Sequence, residues 1–140
     1  MDRVYRLYSK MNKTKIKIFA KLIRYYLRIV YACDIMPTVI IGEGTKFAHS
    51  GLGVVIHPNA RIGMNCKISQ NVTIGGRSGY DAAPKIGDNV LIGANALILG
   101  PITIGNNVQI GGGSVVIKSV PDNAVVVGNP GKIIKYINEI

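Results

Sequence analysis

Stepping by six from Ile56, the chain presents Ile56, Ile62, Ile68, Ile74, Tyr80, Ile86, Ile92, Ile98, Ile104, Ile110 and Val116, aliphatic in ten of eleven places. Chance does not produce such a row, and the 3.6-residue helical period does not either. Four residues after most of these comes a small or aliphatic side chain: Ala60, Cys66, Val72, Val90, Ala96, Ile102, Val108, Ser114 and Val120. One residue after, Gly is favoured (Gly63, Gly75, Gly87, Gly93, Gly105, Gly111), and three after, Asn recurs (Asn59, Asn65, Asn71, Asn89, Asn95, Asn107).

A hexad of this kind is one short strand and one tight corner. Three hexads close a triangular coil filled by the stacked aliphatic and its small partner. Asn and Gly tolerate positive φ, which suits both to corners. The small-side-chain core agrees with 48% hydrophobic but only 6% aromatic residues, no Trp and 17 Gly. A β-sandwich would show two-residue alternation and turns every 8 to 12 residues instead. The expected fold is therefore all-β, a left-handed parallel β-helix of six-residue repeats with a short N-terminal α-helical segment. Coils rising about 4.8 Å each make residues 39 to 127 about five coils.

The frame breaks twice. Phe47 and Ile56 are nine apart, with extra residues around His49, Ser50, Gly51 and Gly53, and residues 75 to 85, GGRSGYDAAPK, lose the pattern and read as a loop leaving one coil. In a repeat protein such departures are where function is grafted. Residues 14 to 32 follow another rule: Ile16, Phe19, Ile23, Tyr26, Leu27 and Val30 share a helical face, and Lys13, Lys17, Lys21, Arg24 and Arg28 another. This basic amphipathic segment, within residues 1–35, is expected to cap the open end of the β-helix at 36–130, with contact to an anionic membrane surface through residues 13–28 as the alternative. Residues 131–140 read as a tail.

Residues 1–35 hold nine Lys/Arg against two Asp, +7 of the net +10, so the basic character belongs to one segment. No nucleic-acid motif accompanies it, and nucleic acid is not an expected partner. Cys33 and Cys66 form no CxxC pair, which suggests neither a disulfide framework nor a metal knuckle. Lysines and arginines interrupt every apolar stretch near the start, so neither a signal peptide nor a membrane span is read. The expected location is the cytoplasm, with the inner face of the membrane as a variant.

The stretches FAHSGLGVVIHPNARIG (47–63), NVTIGG (71–76), APKIGDNVLIGANALILG (83–100) and IGGGSVVIKSVPDNAVVVGNP (110–130) resemble, in order and spacing, the serine acetyltransferase branch of the hexapeptide-repeat acyltransferases. The likeness covers about two-thirds of the chain. It implies an acetyl-CoA-dependent O-acetyltransferase, without a metal, working as a homotrimer with its sites in clefts between subunits. His49 matches the family's catalytic histidine, the base that removes the acceptor's proton. Backbone N–H groups at Gly75 and Gly76 are expected to hold the developing oxyanion. Gly93, Ala94, Gly111 and Gly112 are expected to let the pantetheine arm of CoA pass close, and Lys118 and Lys132 to meet its phosphates. His57, one place after a repeat aliphatic, reads as a structural corner.

Three departures bear on the acceptor. The family's aspartate before the catalytic histidine is Ala48 here, its second histidine before the PKIG stretch is Ala83, and its long helical N-terminal domain is represented by one short segment. Short members of the branch with a similar N-terminal segment also resemble acetyltransferases of surface-polysaccharide clusters. The expected acceptor is therefore a sugar hydroxyl, with serine as the alternative and a non-catalytic solenoid scaffold as a third reading. A zinc carbonic anhydrase on the same solenoid needs three histidine ligands, and this chain has His49 and His57 alone.

Overall fold

The computed structural model describes residues 2–13 and 17–137. Two helices, α1 (Asp2–Lys13) and α2 (Lys17–Tyr31), precede a parallel β-solenoid whose strands fall on three faces. The first face carries β1 (Asp34–Ile35), β4 (Val55–Ile56), β7 (Thr73–Gly75), β10 (Leu97–Leu99) and β13 (Val115–Val116). The second carries β2 (Ile40–Ile41), β5 (Arg61–Ile62), β8 (Lys85–Ile86) and β11 (Thr103–Ile104), extended by a bridge from Ile104 to Val120. The third carries β3 (Lys46–Phe47), β6 (Lys67–Ile68), β9 (Leu91–Ile92), β12 (Gln109–Ile110) and β14 (Ala124–Val127), then β15 (Lys132–Tyr136) antiparallel to β14. One strand per face per coil makes four complete coils and a fifth whose second face is only that bridge.

Register puts like on like. Ile35, Ile56, Ile74, Ile98 and Val116 stack inside the first face, and Phe47, Ile68, Ile92, Ile110 and Val126 inside the third. Most are essentially sealed from water, each contributing roughly 1.5–3 kcal/mol of burial. The small partners from Ala60 to Val120 are buried at the corners. Cys33 and Cys66 are free thiols in this core, and burial pushes both above the ordinary thiol range.

The corners divide the work differently from expectation. Asn65, Asn71, Asn89, Asn95 and Asn107 take positive φ, but the glycines just after the repeat aliphatic do not. Most of those glycines are required by crowding: a Cβ on Gly93 would stand 2.5 Å from the Gly112 nitrogen of the next coil, whereas on Gly75 it would meet only side-chain atoms, the nearest at 3.2 Å. Asn59 also lacks positive φ, in a corner that carries Pro58 and where Ala60 N–H donates to the His57 carbonyl. Where the second face turns into the third, side chains lock the coils together. Asp88, Asn106 and Asp122 accept from the N–H groups of Met64, Asp88 and Asn106, and Asn89, Asn107 and Asn123 form a second ladder.

The N-terminal segment is two helices rather than one, packed on the first coil. Tyr5 donates to the Val39 carbonyl at 2.7 Å and Ser9 to that of Pro37 at 3.2 Å, while Arg24 pairs with Asp34 at 3.2 Å. The capping expectation agrees with this arrangement, but the assigned face does not. Ala20 and Leu27 are buried and Ile23 half-buried, whereas Phe19, Tyr26 and Val30 are exposed. The partner surface that α1 supplies decides which apolar side turns inward. Ile16 lies outside the described residues, as do residues 138–140 of the expected tail; its remainder is largely β15.

Candidate functional site

The first frame break becomes a tight turn, Ala48–Gly51, carrying the chain from the third face to the first. His49 (φ 49°, ψ 37°) and Ser50 (φ 56°, ψ 23°) are both left-handed. Two consecutive non-glycine residues there cost about 1–2 kcal/mol each, and strain of that kind is characteristic of functional turns. The turn is held on two sides. Leu52 N–H closes on the His49 carbonyl at 3.2 Å, and Gly53 N–H donates to the Tyr31 carbonyl at the end of α2, also at 3.2 Å. The His49 side chain is exposed to solvent.

This edge of the prism, third face to first, is poor in side chains. Below the His49 turn it is built by Ser69–Asn71, then Gly93–Asn95, Gly111–Gly113 and Gly128–Gly131. Gly113 N–H donates to the Ala94 carbonyl at 2.8 Å, stacking two of these corners directly. His49, Gly93, Ala94, Gly111 and Gly112 therefore share one edge, and Lys132 follows its last corner on β15, exposed. The Asp/Asn ladders close a different edge, whereas here a Cβ on Gly113 would meet nothing within 4 Å, so the lower corners leave space beside the backbone.

Gly75, Gly76 and Lys118 lie on another edge, where the first face turns into the second. Across that face is about one strand with its flanks, on the order of 15 Å of extended chain, against a hydrogen-bond reach of roughly 3 Å. Within one chain, Gly75 and Gly76 cannot serve the carbonyl that His49 serves, and Lys118 does not join Lys132. At the second edge residues 76–84 leave the coil with Arg77, Tyr80 and Asp81 exposed and Ala83 buried at the base. His57 is built into the same edge: its Nδ1 accepts from Asn59 N–H at 3.2 Å and its own N–H donates to Ile74.

Between the two edges, the outer side of the first face holds a depression of about 380 Å³ lined by Arg24, Asp34, His57 and Gly75 among others. The Arg24–Asp34 pair was not singled out from the sequence; its signal is that Asp34 ends a run, residues 3–33, without an acidic residue. A larger cavity, about 520 Å³, lies between α1 and the first coil and contains none of the candidate residues.

Residues 83–118 match the family described as bacterial transferase hexapeptide (six repeats). Serine acetyltransferase 2 of Arabidopsis thaliana is 40% identical over 139 residues, covering 98% of this chain and 43% of the relative. The crystal structure of Neisseria gonorrhoeae serine acetyltransferase in complex with serine superposes with a TM-score of 0.86 at 39% identity, over 94% of this chain and 54% of that one. A serine acetyltransferase in complex with CoA superposes at 0.84 with 33% identity, over 94% and 54%. The chain spans about half the length of the relatives it matches.

Proposed function

The chain belongs to the serine acetyltransferase-like branch of the hexapeptide-repeat proteins, and from that premise we propose that it transfers acetyl from acetyl-CoA to the hydroxyl of serine. The observation carrying the reading is the strained His49 turn at the head of an open edge lined by Gly93, Ala94, Gly111 and Gly112. The His49 imidazole takes the hydroxyl proton as the oxygen attacks the thioester carbonyl. The new C–O bond forms, the C–S bond breaks as the tetrahedral intermediate collapses, and the departing CoA sulfur receives the proton. A positioned base of this kind contributes roughly 10²- to 10⁴-fold. The open edge fits the pantetheine arm, with Lys132 at the phosphate end.

The sugar acceptor expected from the sequence finds no support in the relatives named above, which are serine acetyltransferases. What favours it is that Ala48 and Ala83 offer no polar group to a bound amino acid. Thiol release from acetyl-CoA, with serine and with nucleotide-linked sugars as acceptors, decides between them. Serine-dependent release that falls at least about 100-fold in His49→Ala, with CoA binding retained, is expected. Release driven by sugars alone would replace serine, and no release with any acceptor would remove the enzymatic reading.

A further inference from the structure

The outward side of α2 is unlike the surface of an ordinary capping helix. Ala20, Ile23, Leu27 and Tyr31, spaced three or four apart, face the rest of the protein. On the other side Ile18, Leu22, Tyr25 and Ile29 form one row and Phe19, Tyr26 and Val30 the row beside it. All seven are about half exposed or more, up to 82% at Ile29. Each contributes on the order of 100 Å² of open surface, so the patch exceeds the roughly 300–600 Å² typical of a soluble monomer's largest. Lys21 and Arg28 stand exposed along its margin, and no acidic residue occurs from 3 to 33. Asp34, at the end of that run, is paired with Arg24 at 3.2 Å and Arg28 at 3.9 Å.

We propose that this face of α2 docks on an anionic lipid bilayer, lying in the interface with its apolar rows among the acyl chains and its cations at the headgroups. Charge decides the occupant. An antiparallel pairing of two copies would set Lys21 and Arg28 along the same margin as those of the other copy, a like-charge contact, whereas an acidic headgroup layer supplies counter-charge to that cationic margin. Tyr25 and Tyr26, one in each row, suit the headgroup boundary. At 15 residues, about 22 Å long, α2 is suited to lying along a surface, and among the described residues no helix is long and apolar enough to cross a membrane.

The test is sedimentation of the full chain with phosphatidylcholine vesicles and with vesicles containing 30% phosphatidylserine. Binding to the anionic vesicles is expected, at least about tenfold weaker without phosphatidylserine and weakened by salt. Leu22→Glu with Ile29→Glu, both on the exposed face, should abolish it while leaving the melting temperature and serine-dependent thiol release intact. Absence of vesicle binding overturns the proposal. So does a fall in solution mass in the double variant, which would assign the face to another copy of the chain. Because the readout needs no acetyl-CoA, it stands or falls apart from the acyl-transfer reading.

Discussion

At the scale of single residues, the corners separate two demands that a sequence writes with similar letters. Asn95 is there for its conformation, φ 60°; Gly93, two positions earlier, is there because the neighbouring coil leaves no room for a Cβ. Gly93→Ala should therefore destabilise the protein by about 1–3 kcal/mol through forced separation of coils. Asn95→Ala should cost about 1–2 kcal/mol through backbone strain and Asn95→Gly much less, a ranking that thermal melts of the three variants would check. The hexad made the corners legible, and the nine-residue gap after Phe47 exposed His49 as a residue outside the repeat. The reason for each glycine was not legible, because a clash between coils joins residues some twenty positions apart, as Gly93 and Gly112 are.

Among the elements, the strands followed from period and the helices only partly did. An amphipathic pattern says that some side of α2 is buried, but α2 is apolar around more than half its circumference. Packing against α1, whose Tyr5 and Tyr8 are buried, selects Ala20 and Leu27 rather than Phe19 and Val30. The seam between cap and coil depends on the Tyr5 hydroxyl, buried against the Val39 carbonyl. Tyr5→Phe should lower stability by about 1–2 kcal/mol, whereas Tyr25→Phe, on the exposed side, should stay within about 0.5 kcal/mol. Denaturant titration of both variants would measure the difference.

For the whole molecule, the decisive fact is that the candidate residues are divided between two edges of one prism. We propose a threefold assembly that sets the His49 edge of one chain against the Gly75–Gly76 edge of the next, since a closed ring would give every chain both roles. Light scattering should then give three times the 15.0 kDa chain mass. Mixed oligomers offer a sharper check: His49→Ala and Gly76→Val chains, each inactive alone, should together recover about a quarter of normal turnover, since random mixing leaves that share of composite sites intact. No recovery would confine the site to a single chain. The hydrogen bond from Gly53 to the Tyr31 carbonyl adds a mechanical consequence. The loop bearing His49 stands on two footings, the repeat below it and the helical cap beside it. Tension on the C-terminal end of α2 would be carried through that bond to the backbone just past the His49 turn.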